Sequence, residues 1–170
     1  MPRIPQLTEH PLLTEVRTQL GRVPNLYAAM ANGPAALSGY LTLRDALTRG
    51  ELTARERELL ALFTAQRNEC GYCLAAHTFR GEKMRIPADE LDKAREAESP
   101  DPHTRAVLRL ADAVMAHRGR VPDERLAEAR ADGVTDAQVA EVVAHIALNV
   151  LSNYFNHVAE PDLDFPAVSR

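Results

Sequence analysis

The sequence predicts an all-α protein that folds as a single-domain helical bundle. Its segments are rich in Ala, Leu, Arg and Glu, which have high helix propensity, and Pro and Gly separate them. No segment alternates apolar and polar residues as a half-buried strand does. The 170 residues suit one domain with one core, and their 45% hydrophobic and 26% charged composition is typical of globular proteins.

The N-terminal third is predicted to consist of an extended arm and short helices. The arm covers residues 1–11. Glycine and proline end the helices because neither continues one well. These helices span residues 12–20 before Gly21, 25–30 before Asn32-Gly33-Pro34, and 35–48 before Gly50.

Two capping boxes predict where the longer helices begin. In this motif a Thr side chain and a Glu or Gln three residues later each accept the other's backbone N–H. Thr53 and Glu56 open one such helix. Thr135 and Gln138 open another, which runs to about residue 158. The other predicted segments are a helix over 69–80 with Asn68 as N-cap and Gly81 as its end, a helix over 87–98, a helix from Asp101-Pro102 to about Gly119, a helix over 123–131, and an extended tail over 161–170.

Charge and hydropathy argue against nucleic acid and membrane partners. The formal net charge is −4 and no run of basic residues occurs, so nothing attracts polyanions. No apolar run reaches the ~18–20 residues of a membrane-spanning helix. Residues 1–10 lack the apolar centre of a secretory signal, so the cytoplasm is the expected compartment.

The chain has only two cysteines, Cys70 and Cys73. A disulfide between them would close almost no loop and would stabilise the fold little. A structural disulfide framework is therefore not expected. Buried cysteines often serve only as small apolar residues, but a C-x-x-C pair followed by His77 favours thiol chemistry or metal binding.

On one helix, Cys70, Cys73 and His77 project from the same face, since each residue turns the helix by about 100°. Cys73 and His77 are an i,i+4 pair and are therefore neighbours. A helix N-terminus and a nearby imidazole both favour the reactive thiolate. A second cysteine one turn away can condense with a sulfenic acid on the first.

A zinc site or a redox-sensing module is the alternative from a different class. Cys70, Cys73 and His77 would supply three ligands, with Glu58 or His157 as the fourth. Structural zinc sites usually take ligands from two separate segments, whereas these three lie on one. Haem attachment is excluded because Leu74, not His, follows Cys73.

The segment from Glu58 to His77 resembles the E-x11-C-x2-C-x3-H signature of the alkyl hydroperoxidase D-like, or carboxymuconolactone decarboxylase-like, superfamily. Glu58, Cys70, Cys73 and His77 each match a position of that signature. Tyr72 replaces the His that well-studied members carry before the second cysteine. Three further segments look like the peroxidase-related branch: residues 21–25, 149–157 and 164–166.

The resemblance implies a helical fold without a prosthetic group or metal, assembled as a homotrimer or homohexamer. It implies thiol-dependent reduction of a hydroperoxide, with a dithiol or a thiol-bearing protein resetting the oxidised pair. Decarboxylases of the superfamily generally lack the C-x-x-C pair. Lactone decarboxylation by His and acidic groups is therefore the weaker alternative.

Within such a site, Cys73 is predicted to attack the peroxide because His77 is its nearest base, and Cys70 to resolve the sulfenic acid. The helix dipole argues for the reverse order, because it favours the Cys70 thiolate. Glu58 is predicted to orient His77. Spacing alone would leave Glu58 as a solvated residue of an Arg-Glu-Arg-Glu run, and the signature reverses that interpretation.

A polar stripe follows the predicted last helix at His145, Asn149, Asn153 and Asn156. It predicts either a hydrogen-bonded ridge at a helix or subunit contact, or a wall of the active pocket. Two further groups have no predicted role in the site. His10, His103 and His117 are expected to be solvated, and Tyr27, Tyr40 and Phe63 are expected to belong to the core.

Overall fold

Nine α-helices make up most of residues 1–168, which are the residues that this computed structural model describes. No strand occurs in that range, so the predicted all-α class is confirmed. Residues 161–168 contain no helix, and the last two residues of the predicted tail lie outside the described range. The helices are α1 (Pro11–Leu20), α2 (Asn25–Met30), α3 (Pro34–Leu47), α4 (Ala54–Arg67), α5 (Gly71–Lys83), α6 (Ala88–Ala94), α7 (Pro102–Ala116), α8 (Asp123–Ala131) and α9 (Asp136–Ala159).

Helix α4 lies at the centre of the bundle and packs against α5, α6, α7 and α9. Every residue from 59 to 65 is buried. Because these residues are apolar around the whole circumference of the helix, except for Thr64, they favour a position surrounded by other helices. The larger apolar cluster forms around α4, and a smaller one joins α1, α2 and α3 to α9.

Both predicted capping boxes are present, at the starts of α4 and α9. His103 joins them: its Nδ1 lies 2.7 Å from Glu56 Oε1, and its Nε2 lies 3.2 Å from Gln138 Oε1. Gln138 Oε1 already accepts the Thr135 N–H, so it acts as an acceptor. Both ring nitrogens of His103 therefore donate, which requires an imidazolium. Burial opposes this charge, but the hydrogen bond and charge of Glu56 raise the pKa of His103 overall.

Two of the three histidines that were expected to be solvated have structural contacts instead. His103 is the bridge between the capping boxes. The His10 side chain caps α1, since its Nδ1 accepts the Leu12 N–H at 3.2 Å.

The predicted bounds around α5 and α6 need correction. Asn68 is the C-cap of α4 and not an N-cap, and α5 begins after Cys70. Gly81 does not end α5; it lies inside the helix where α6 packs closely. A Cβ at Gly81 would lie 2.5 Å from a Leu91 side-chain atom. Helix α6 ends at Ala94, several residues before the predicted end.

Within residues 1–168, no single helix has both the length and the apolar content needed to cross a membrane. Helices α8 and α9 meet that test only when taken together, and they are bent by 117° relative to each other.

Candidate active site

The turn between α4 and α5 places Cys70 at the N-cap of α5. Helix α4 ends in a Schellman motif, in which Cys70 N–H donates to Ala65 C=O at 2.9 Å and Glu69 N–H to Gln66 C=O at 3.0 Å. Glu69 has the left-handed conformation, with φ 53°, that glycine usually supplies. Cys70 Sγ accepts the Cys73 N–H at 3.3 Å, as an N-cap side chain does.

Cys70 and Cys73 form a disulfide, with their Cα atoms 5.3 Å apart. Both residues are buried, yet they differ in what they face. Cys73 lines a cavity of about 540 Å³, and Cys70 is not among the described residues that line it. Of the two cysteines, Cys73 is therefore the one next to the cavity.

A buried carboxylate–imidazole pair lies beside the cysteine helix. Glu58 Oε1 is 2.7 Å from His77 Nδ1, and Glu58 Oε2 is 3.0 Å from an Arg80 nitrogen. The Glu58 side chain is only 4% exposed, so it is not part of a solvated charged run. Glu58 and His77 also line the cavity next to Cys73.

The negative charge of Glu58 determines which ring nitrogen of His77 can accept a proton. Burial disfavours the Glu58 carboxylate, but the contacts with His77 and Arg80 outweigh it and hold the pKa of Glu58 below its usual range. An ionised carboxylate only accepts hydrogen bonds, so His77 Nδ1 carries the proton that it donates. In neutral His77 the other nitrogen, Nε2, is then the one that can act as a base. No hydrogen bond between His77 and either sulfur occurs in the described part of this disulfide form.

Asn156 of α9 contacts the Cys73 sulfur directly. Its Nδ2 donates to Cys73 Sγ at 3.1 Å and lies 4.0 Å from Cys70 Sγ. Its Oδ1 is buried and, within residues 1–168, has no hydrogen-bond partner. One face of the amide thus stabilises charge on sulfur while the other can accept a hydrogen bond.

The polar stripe on α9 combines the two predicted roles. His145, Asn149 and Asn156 line the cavity. Asn153 instead forms a helix contact, where its Oδ1 accepts a hydrogen bond from Asn68 Nδ2 at 2.9 Å. Burial and the charge of Arg57 lower the pKa of His145 to about 4, so its imidazole is neutral at neutral pH.

The aromatic residues also divide between core and cavity. Phe63 is fully buried, as expected. Tyr27 and Tyr40 are buried as well, but both also line the cavity.

Tyr72 fastens the tail against α5. Its hydroxyl donates to Asp164 Oδ2 and accepts the Leu26 N–H at 3.2 Å. Burial raises the pKa of Tyr72, and the hydrogen bond to Asp164 raises it further, so the hydroxyl stays protonated. Asp164 Oδ2 also accepts the Asn25 N–H at 2.8 Å. Residues near Asn25 and Asp164, from opposite ends of the chain, therefore meet beside the cavity.

Phe165, a residue of the tail, packs against aromatic side chains at the cavity wall. Its ring packs against Tyr72 at 5.8 Å and Phe79 at 5.7 Å between centroids. The Arg22 guanidinium lies 4.5 Å from the centre of the same ring. Phe165 itself lines the cavity.

The donor set does not favour the zinc alternative. Within residues 1–168, no group of three or more His, Cys, Asp or Glu side chains is arranged to hold a metal ion. Cys70 and Cys73 are bonded to each other. Of the two residues predicted as a fourth ligand, Glu58 pairs with His77 and Arg80, and His157 is exposed and donates to the Asn68 carbonyl at 2.8 Å.

The sequence profile of the carboxymuconolactone decarboxylase family matches residues 34–116, which span α3 to α7 and include Glu58, Cys70, Cys73 and His77. A peroxidase-related protein from Ralstonia eutropha JMP134, solved as an alkylhydroperoxidase AhpD core, is 26% identical with a TM-score of 0.80. The similarity covers 90% of this chain and 83% of that one. The chain belongs to the alkyl hydroperoxidase D-like, or carboxymuconolactone decarboxylase-like, superfamily.

Two further solved structures share this fold and are more distant in sequence. A peroxidase-related protein from Silicibacter sp. TM1040 is 18% identical, with a TM-score of 0.80 over 96% of this chain and 94% of its own. The debrominase Bmp8, solved as a variant with 2,3,4-tribromopyrrole, is 17% identical with a TM-score of 0.75, over 91% of this chain and 84% of its own. These two similarities extend to the fold alone. No curated protein sequence matches the chain.

Proposed function

We propose that this protein is a thiol-dependent peroxidase of the peroxidase-related branch, reducing a hydroperoxide with Cys73 and Cys70. One observation carries the proposal: Cys73 lines a cavity beside a buried Glu58–His77 pair and is disulfide-bonded to Cys70. A nucleophile, a base, an orienting carboxylate and a resolving thiol are thereby combined. We further propose that it works in the cytoplasm, where thiol reductants regenerate such pairs.

In the reduced protein, His77 Nε2 takes the proton of the Cys73 thiol, and the Asn156 N–H stabilises the thiolate. The thiolate attacks the terminal oxygen of the hydroperoxide. The S–O bond forms as the O–O bond breaks, and the alkoxide leaves as an alcohol after protonation from His77. Sulfur is oxidised by two electrons to a sulfenic acid, and the peroxide is reduced by two.

Cys70 then closes the cycle. The Cys70 thiol loses its proton, and its thiolate attacks the Cys73 sulfur. The S–O bond breaks as the disulfide forms, and the leaving hydroxide takes up that proton and departs as water. Two thiols of a dithiol or a thiol-bearing protein reduce the disulfide and become a disulfide themselves. Lactone decarboxylation would need no such pair, so Ala at both cysteines distinguishes the two reactions.

The direct test is turnover of cumene hydroperoxide and hydrogen peroxide with dithiothreitol, dihydrolipoamide or reduced thioredoxin as reductant. We expect at least one reductant to support turnover. We also expect peroxide to lower the intact mass by two hydrogen atoms per chain, reversibly. Thiols that survive excess peroxide without any sulfinic product would contradict the proposal, as would activity that persists in the Cys70→Ala, Cys73→Ala double variant.

We also propose that the chain self-associates, as a homotrimer or homohexamer, through the outward face of α9. Large apolar side chains follow this face at helical spacing: Val143 is 47% exposed, Leu151 44%, Tyr154 58% and Val158 61%. A contiguous exposed apolar stripe of this kind is typical of protein interfaces. It borders a groove lined by Met115, Val150 and other residues of α7 and α9.

We therefore expect the protein to sediment as a trimer or hexamer at micromolar concentration. The double variant Leu151→Glu, Tyr154→Glu should dissociate, because it would bury unpaired carboxylates at the interface. Leu163→Glu is the matched control, since Leu163 is similarly exposed, at 46%, but lies on the tail and not on α9. A monomeric wild-type protein in analytical ultracentrifugation would refute self-association.

A further inference from the structure

The cavity beside Cys73 is larger than a small peroxide requires. It follows α9 from Asn156 to His145, and at 1.5 Å of rise per residue these positions lie about 16 Å apart along the helix axis. Its volume of about 540 Å³ falls in the range of drug-sized ligand sites. Much of its wall is apolar or aromatic, including Leu26, Tyr40, Phe79, Leu148 and Phe165.

Arg57, a cation without an ion-pair partner in the described part of the chain, also lines the cavity. Arg57 is half-buried and donates to the Leu52 carbonyl. In contrast to Arg80, which pairs with Glu58, and Arg44, which pairs with Asp45, it makes no ion pair with any residue between 1 and 168. A half-buried guanidinium beside an apolar cavity favours an anionic partner.

His145 provides a second polar group to the cavity wall. It is 5% exposed, and its Nε2 is buried with no hydrogen-bond partner in the described part of the chain. Arg57 and His145 both line the cavity, and the charge of Arg57 helps to lower the pKa of His145. A buried polar atom without a partner is costly unless a ligand or water satisfies it.

The carboxylates at or near the cavity have other partners. The charge of Glu141 acts on His145, but its oxygens accept the backbone N–H groups of Glu51 and Leu52 at 2.7 and 2.9 Å, and Glu141 is not among the described residues that line the cavity. Glu58 is engaged by both His77 and Arg80. Asp45 is engaged by Arg44. The cavity therefore has an apolar middle, a reactive sulfur near Asn156, and an anion-binding site at Arg57 and His145.

We propose that the substrate is an extended organic hydroperoxide with an apolar body and a carboxylate, of the fatty acid hydroperoxide type. Its carboxylate binds Arg57 and His145, its apolar chain lies along α9, and its hydroperoxide group meets Cys73 and the free Oδ1 of Asn156. This substrate class rests on the proposed peroxidase function, while the binding of the carboxylate is independent of turnover.

The first experiment compares linoleic acid hydroperoxide with its methyl ester, which has the same apolar body but no charge. We expect wild-type protein to prefer the acid by about tenfold or more in kcat/KM, mainly through KM. Arg57→Gln should abolish this preference, and Arg57→Lys should retain part of it. Arg17→Gln, which changes an exposed arginine of α1 away from the cavity, should preserve it. Equal use of acid and ester by the wild-type protein would overturn the proposal.

The second experiment measures binding without chemistry. Laurate and methyl laurate are titrated into the disulfide form by calorimetry, with circular dichroism to check that each variant is folded. We expect laurate to bind the wild-type protein and Arg17→Gln alike, and to bind Arg57→Gln at least about tenfold more weakly. Affinity for laurate that is unchanged in Arg57→Gln would overturn the carboxylate site. Arg57-dependent binding of laurate by a protein that reduces no hydroperoxide would support the site and refute the peroxidase function.

Discussion

We expect the Cys73→Ser variant to lose hydroperoxide reduction by at least about 10⁴-fold, as enzymes do when their nucleophile is removed. Cys73, unlike Cys70, is among the described residues that line the cavity. The Asn156 amide donates a hydrogen bond to the Cys73 sulfur at 3.1 Å. Serine has a far higher pKa and does not form the reactive anion at neutral pH. Initial rates with cumene hydroperoxide, measured against the reaction without protein, give the size of the loss.

The matched variant is Cys70→Ser, which keeps the attacking sulfur and removes the resolving one. It should consume one peroxide per chain and then stop as a sulfenic acid that dimedone traps on Cys73. With a dithiol reductant at low concentration, the Cys70→Ser variant should not complete further turnovers. Dimedone labelling of Cys70 in Cys73→Ser, with none of Cys73 in Cys70→Ser, would reverse the two roles.

His77→Ala and Glu58→Gln should each slow turnover by about 10²–10⁴-fold, the usual effect of losing a positioned base or its orienting partner. His77 supplies the base, and Glu58 fixes its Nδ1–H at 2.7 Å so that Nε2 is free to act. Glutamine at position 58 keeps the shape but loses the negative charge that stabilises the imidazolium. The measurement is the single-turnover rate of peroxide reduction at saturating substrate.

His157→Ala is the control for this pair, because His157 is exposed and bonds a backbone carbonyl outside the cavity. Its rate should match that of the wild-type protein. A Glu58→Gln variant that stays within about threefold of wild type would refute the orienting role.

Glu58 also affects acid stability. Its pKa is lower in the fold than in the unfolded chain, so the ionised carboxylate stabilises the fold above the ordinary carboxyl range. That stabilisation is lost as pH falls through the lowered pKa. Glu58→Gln should therefore show a smaller loss of stability on acidification.

Local sequence signals predicted the helical fold because they act over one turn. The Thr53 and Thr135 capping boxes form as expected, since each motif is contained within four residues. The start of α5 was predicted wrongly because the turn uses Glu69 in a left-handed conformation, where glycine would have marked it. Gly81 was taken for a helix end, but its role is to admit Leu91 from α6, a contact that no local pattern reveals.

The residues of the candidate site also divide into those that local spacing predicted and those that it did not. Glu58, Cys73 and His77 could be found because their spacing along α4 and α5 matches a known signature. Asn156 was predicted only as one member of a polar stripe, and Arg57 was not predicted at all, since each acquires its position only when α4, α5 and α9 pack together. From spacing alone, Glu58 was expected to be solvated as part of a charged run. In the fold, its side chain is buried within the helical bundle.

Along the sequence, the part of the cavity wall that the tail forms is separate from the residues proposed to react. The groups proposed to react lie on α4, α5 and α9, whereas Phe165 reaches the wall from beyond α9 and is held there by Asp164 and Tyr72. We therefore expect substitutions in the tail to alter the width and polarity of the cavity near Phe165 while Cys73 and the Glu58–His77 pair stay in place. On the proposed function, the preference for a substrate and the chemistry performed on it belong to separate stretches of the chain.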